Sequence, residues 1–217
     1  MNKQTKTAFI LNLLIIIFTL FATISVVIGF KFMQNITVLS EKNFKSFRYF
    51  TVLSNILAAI VAFIYILNKE KLPAWLYILK LAATTSVTFT MIVTVCYLAP
   101  TSKNGYFSLF MNSNLIMHLI TPLLCIISFI FFESSEKLPF KFSFAGVIPM
   151  VLYAAFYTPN VLLHLNNGKV DPAYDWYGFL AFGLNTIWIV LPLLAFIAWL
   201  LSLGLWVMNR KFSSSKC

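Results

Sequence analysis

Two short stretches set a hydroxyl and an imidazole into apolar surroundings. Arg48-Tyr49-Phe50-Thr51 leads into a run that carries Ser54 and Asn55, and Asn114-Leu115-Ile116-Met117-His118 opens another that carries Thr121. On a helix, Arg48, Thr51 and Asn55 stand at i, i+3 and i+7, and Asn114, His118, Thr121 and Cys125 likewise share one face. A threonine hydroxyl becomes a nucleophile once a base takes its proton, and neutral imidazole suits that task. Acyl transfer is the chemistry that a hydroxyl beside an imidazole could do, and Asn114, one turn from His118 on the same face, could orient the ring by a hydrogen bond. The oxyanion that forms needs donors, and helical backbone amides are already bonded, so side chains must serve. Arg48 is the first candidate, with Tyr49, Asn55 and Trp176 beside it. If Arg48 instead holds a substrate carboxylate or phosphate, it positions rather than stabilises.

Each residue also has a plainer role. A threonine in a membrane helix commonly bonds the carbonyl four residues back, here that of Phe47. Asn114 suits an interhelical polar contact, and Arg48 can snorkel to headgroups. His164, beside Asn166 and Asn167, reads as an interfacial or capping residue, and Trp176 and Tyr177 as part of an aromatic belt. A histidine inside a membrane helix is different, because an intramembrane ionisable group is functional by default.

The elements that must position these groups follow from composition. Of 217 residues, 60% are apolar and 10% charged, outside the range of soluble globular domains. A spanning helix needs about 20 apolar residues, and six runs qualify, at about 8–32, 48–67, 77–98, 111–132, 142–164 and 178–208. The connections are short, so the sequence predicts one all-α domain over 1–217, a polytopic bundle of six transmembrane helices. The first run is too long for a secretory signal and reads as a retained helix. The net charge of +10 sits at helix ends, where it orients spans and meets anionic lipid, so no nucleic-acid partner is implied. Cys96 and Cys125 fall inside apolar runs and read as core residues, with Cys217 a free tail thiol.

Six spans put both termini on one side. Ten basic residues then lie with the termini, namely Lys3, Lys6, Lys69, Lys71, Lys80, Lys137, Lys141, Arg210, Lys211 and Lys216. Six lie opposite: Lys31, Lys42, Lys45, Arg48, Lys103 and Lys169. The positive-inside rule makes both termini cytoplasmic, in the plasma membrane if the source is bacterial. Glu70-Lys71-Leu72-Pro73 after the second run echoes Glu136-Lys137-Leu138-Pro139 after the fourth, and Asn35-Ile36-Thr37 is a glycosylation sequon on the first outer loop.

Sorted by depth, polar residues gather in the outer half: Arg48, Thr51, Ser54 and Asn55; Thr94 and Tyr97; Asn112, Asn114, His118 and Thr121; Thr158, Asn160 and His164; and Asn185. The inner half carries chiefly scattered serines such as Ser128 and Ser202 and reads as dry. Polar groups in hydrocarbon are costly unless they face a cavity or one another. A polar chamber in the outer leaflet is therefore expected, with Ser54, Thr121, Asn185, His164, Trp176 and Tyr177 lining it. The chemistry requires neither metal nor cofactor, since two histidines without an intramembrane carboxylate make a poor zinc site. Two other classes stay open: a transporter or channel using His118 as a proton relay, and a structural protein whose polar residues join helices.

At these residues the sequence resembles the androgen-induced and androgen-dependent TFPI-regulating membrane proteins and their bacterial six-span relatives. Arg48-Tyr49-Phe50-Thr51-x-Leu53 resembles that family's basic residue, tyrosine, hydrophobe, threonine, x, leucine at the start of its second span. Asn114-x-x-Met117-His118 resembles its motif on the fourth, and Trp176-Tyr177 a pair before the last. Pro122, four residues after the histidine, and Gly178, after Tyr177, depart from the pattern. The resemblance implies hydrolysis of fatty acid esters of hydroxy fatty acids, with Thr51 as nucleophile, His118 as its partner and a membrane lipid or fatty-acyl ester as substrate. Acyl transfer to another alcohol would use the same residues.

Overall fold

A computed structural model describes residues 3–33, 43–68, 73–133, 139–171, 173–180 and 183–214. Six of its helices are apolar and long enough to cross a membrane: Lys6–Ile28, Phe50–Leu67, Ala74–Leu98, Ser113–Phe132, Phe140–Leu163 and Leu184–Phe212, spans one to six. No strand forms among the described residues. The chain is an all-α, multi-pass membrane protein, the architecture that satisfies every backbone group inside lipid. The sequon at Asn35, the two Glu-Lys-Leu-Pro turns up to their prolines, and Cys217 lie outside the described residues.

Glycine explains where the ends depart from expectation. Span one stops at Ile28 rather than near residue 32, because Gly29 turns the chain at φ 71°. Span six begins at Leu184 rather than at 178, because Gly178 (φ 67°) and Gly183 (φ 105°) take left-handed conformations that end helical geometry. Cys125 is buried as expected, but Cys96 is exposed.

Span three is the axis, packing against spans two, four, five and six, while span one packs on two and four. Its residues from Lys80 to Thr90 are buried on every face. Many are small or hydroxylic (Ala82, Ala83, Thr84, Thr85, Ser86), which lets neighbouring helices approach closely. Several of its hydroxyls stay within the helix: Ser86, Thr88 and Thr90 donate to the carbonyls of Ala82 (2.8 Å), Thr84 (2.7 Å) and Val87 (2.8 Å). Outward-facing residues such as Leu20, Ile24, Phe63, Leu152 and Trp188 are large, apolar and exposed, as a lipid-facing surface requires.

Gly146 marks a close approach between spans three, five and six. A Cβ there would lie 2.6 Å from Thr85 Oγ1 and overlap Ser202. Gly146→Ala is expected to lower stability by about 1–3 kcal/mol through overpacking. Thermal unfolding of the detergent-purified variant checks this; an unchanged midpoint would refute the close approach.

Among the described residues three turns widen to π geometry: Thr94–Leu98 in span three, and Ile116–Ile120 and Ser128–Phe132 in span four. In each, an N–H reaches five residues back, from Ala99 to Thr94, Thr121 to Ile116 and Glu133 to Ser128. The middle one lies just ahead of Pro122, which has no N–H to offer the His118 carbonyl. Such turns recur at functional sites, and here each contributes a residue to one of two polar clusters.

Candidate functional site

The first cluster lies at the end of the bundle opposite the termini, where span two begins. A 3-10 turn, Asn43–Arg48, delivers the chain to a helix that starts at Phe50. The first N–H groups of a helix have no partner within it, and the connection between spans five and six supplies one: Phe50 N–H donates to the Tyr177 hydroxyl at 2.8 Å. Tyr153 donates to the Arg48 carbonyl (2.6 Å) and accepts from Trp176 Nε1 (2.9 Å). Asp175 anchors this strap, accepting from the Tyr157 hydroxyl and from the N–H groups of Phe179 (3.1 Å) and Leu180 (2.9 Å). Burial pushes the Tyr177 hydroxyl well above the usual tyrosine range, keeping it protonated and uncharged beside the helix start. Thr51 is thus fixed one residue below a bolted helix head.

His118 is fully buried in the π turn of span four, at 1% exposure. Its Nδ1 lies 2.8 Å from the hydroxyl of Thr94, which opens the π turn of span three. Its Nε2 is buried and has no hydrogen-bond partner among the described residues, so it bonds neither Thr51 nor Asn114. Thr51 reaches the ring's neighbourhood by another route. Asn55 Nδ2 donates to the Thr51 carbonyl (2.8 Å) and to the carbonyl of Met117 (3.1 Å), the residue before His118. The Thr51 hydroxyl bonds no described residue, so the bond to Phe47 considered from sequence is not made. Thr121, one turn beyond His118, is fully buried, with its hydroxyl unpartnered among the described residues.

Several residues take other roles than expected. Asn55 has both amide protons committed to carbonyls, which makes it a clamp between spans two and four and removes it as an oxyanion donor. Arg48 turns toward the strap: its guanidinium lies over Tyr49 (5.2 Å) and Trp176 (5.0 Å), and bonds the Tyr49 hydroxyl at 3.3 Å and the Ala173 carbonyl at 3.4 Å. Trp176 and Tyr177 hold backbone and side chains of the cap rather than presenting free polar atoms to a chamber. Asn185 and Tyr97 are exposed. His164 is exposed too, stacked on Tyr174 at 3.8 Å and bonded to the Asn160 carbonyl at 2.7 Å, the capping role. Ser54 donates to the Thr51 carbonyl (3.0 Å) and borders an apolar groove of about 270 Å³ between spans two and five, lined also by Phe50, Leu57, Leu152 and Phe156.

The second cluster overturns the dry inner half. Lys80 Nζ and Glu133 Oε1 form an ion pair at 2.9 Å with side chains 6% and 1% exposed. Asn12 of span one accepts from Lys80 (2.5 Å) and donates to Glu133 (2.8 Å), and Ser128 donates to the same carboxylate oxygen at 2.6 Å. Lys80 lies over the Tyr65 ring of span two (5.0 Å), and Asn209 of span six donates to the Glu133 carbonyl (2.7 Å) while accepting from Tyr77 (2.7 Å). From sequence Lys80 counts as a topology charge, and Glu133 falls just past the end of the fourth run at residue 132. The signal was their depth: Asn12 and Lys80 each sit inside an apolar run near the terminal end, and Glu133 immediately follows one. Compared with family models, with curated proteins and with solved structures, the chain finds no match.

Proposed function

We propose that this chain is an intramembrane hydrolase of lipid esters, with Thr51 as nucleophile and His118 Nε2 as base. One observation carries the reading: among the described residues a buried imidazole has one nitrogen held by Thr94 and the other unpartnered, while Asn55 ties the neighbouring carbonyl to that of Thr51, whose own hydroxyl bonds none of them. Hydrogen bonds between nucleophile and base are often long without substrate and tighten in the complex. The residues that carry the resemblance, Thr51 and His118, are the ones this arrangement uses.

In the reaction, Thr51 Oγ1 attacks the ester carbonyl as its proton passes to His118 Nε2. Collapse of the oxyanion breaks the bond to the alcohol oxygen, which leaves with that proton, and the acyl group stays on Thr51. Water, deprotonated by the same nitrogen, attacks the acyl-threonine; the fatty acid departs and Thr51 recovers its proton. Thr121 supplies the donor for the oxyanion, in place of Arg48 and Asn55. The groove beside Ser54 takes an acyl chain, which gains about 0.8 kcal/mol per buried methylene. Cytoplasmic termini would put this site in the outer half of the plasma membrane.

Incubating purified protein with a fatty acid ester of a hydroxy fatty acid in ¹⁸O-water tests the activity. Hydrolysis puts the label into the released acid, acyl transfer leaves it out, and an unchanged ester contradicts both.

The Lys80–Glu133 pair supports a second reading, proton-coupled transport, because buried charge near the termini removes the objection that only one half is polar. Between Lys80 and Thr94, span three carries the buried threonines Thr84, Thr85 and Thr88. Proton uptake into proteoliposomes that Glu133→Gln abolishes would favour transport; its absence favours the enzyme.

A further inference from the structure

On the reading of His118 Nε2 as base, the ring needs its proton on the other nitrogen, and the fold supplies a partner there. Serine hydrolases place a carboxylate on that nitrogen to fix tautomer and orientation. This site has a hydroxyl instead. Ser86, Thr88 and Thr90 of its helix bond carbonyls one turn back, whereas Thr94 points across to span four. Both partners sit in π turns and both are essentially unexposed. A widened turn changes which face a side chain presents, and two such turns meeting here set one 2.8 Å contact.

We infer that Thr94 is a positioning residue for His118: its oxygen accepts the Nδ1 proton, fixes the imidazole as the Nδ1–H tautomer and leaves the Nε2 lone pair for Thr51. A hydroxyl can accept in this way, and among the described residues the ring is the one partner of the Thr94 hydroxyl. The proton that Nε2 takes during attack makes an imidazolium whose Nδ1–H bond to Thr94 persists, so the ring does not rotate between acylation and deacylation. A neutral acceptor stabilises that cation less than a carboxylate would, but it brings no second charge into the bilayer.

The test uses the two histidines of the chain, observed by ¹⁵N NMR of the full-length protein labelled at histidine and held in nanodiscs. His164 provides the reference, because its Nδ1 faces a carbonyl, which can only accept. At a pH well above the ordinary imidazole range, His118 is expected to show the same Nδ1–H pattern as His164. Thr94→Val is expected to lose that pattern at His118 alone and to slow modification of Thr51 by a fluorophosphonate probe on the order of ten- to a hundredfold, within the range of a general base's contribution. Thr94→Ser is expected to restore both. An Nε2–H pattern at His118 in the unaltered protein, or a pattern that Thr94→Val leaves unchanged, overturns the assignment. If the NMR result holds while the probe never marks Thr51, Thr94 positions the ring and the hydrolase reading fails by itself.

Discussion

Glu133→Ala is expected to cost the protein about 3–5 kcal/mol, the penalty for removing one member of a buried ion pair. The loss exceeds the pair's own attraction, because Lys80 keeps a charge in a site whose other occupants are Asn12 and the ring of Tyr65. Lys80→Met is expected to cost a similar amount, since it strands the carboxylate instead. The double variant Lys80→Met, Glu133→Leu is expected to regain most of the loss, as hydrophobic replacement of a whole buried pair often does. Unfolding of each purified variant in detergent checks the cycle. Equal, additive losses in the double variant would show that the two side chains do not depend on each other. Four spans meet in this cluster through Asn12, Lys80, Glu133 and Asn209, so the same variants should loosen the terminal end of the bundle first.

At the opposite end, His118→Gln is expected to reduce ester turnover by about 10²–10⁴, the contribution of a general base. Thr51→Ala is expected to abolish turnover through the acyl-enzyme, and Thr51→Ser to retain it, since serine keeps the hydroxyl and loses only a methyl group. Turnover at matched folded protein concentration is the measurement. His118 is a fully buried ring, so thermal unfolding of His118→Gln must accompany it, to separate lost chemistry from lost protein.

The six spans are legible in the sequence because hydrocarbon demands about 20 apolar residues per crossing and the connections here are short. The ends of spans one and six are not, because Gly29, Gly178 and Gly183 terminate helices through backbone conformation, which an apolar run does not report. The similar depths of Thr51 and His118 are legible in the sequence, but that spans two and four lie side by side is not; Asn55 shows it in the fold by bonding the Met117 carbonyl. Thr94 is legible as a polar residue at the same depth, yet its role depends on two π turns that no 3.6-residue periodicity shows. The side chains expected to line a chamber, Trp176 and Tyr177 above all, belong instead to the strap over the head of span two. A helix N-terminus in a membrane needs an external hydrogen-bond partner, and only the folded chain shows which loop provides it. The Lys80–Glu133 pair escapes a reading that assigns every lysine near a span end to topology. Depth and partner, rather than charge sign, distinguish such a lysine.

A fluorophosphonate probe reacts with an activated hydroxyl and leaves a phosphonate on the oxygen that attacked, so mass spectrometry of the labelled protein locates the nucleophile. The adduct is expected on the side-chain oxygen at position 51, in the unaltered protein and in Thr51→Ser, and to vanish in His118→Gln. An adduct on Thr94, the hydroxyl already in contact with the imidazole, or no adduct on any residue of the folded protein, would contradict the assignment of Thr51.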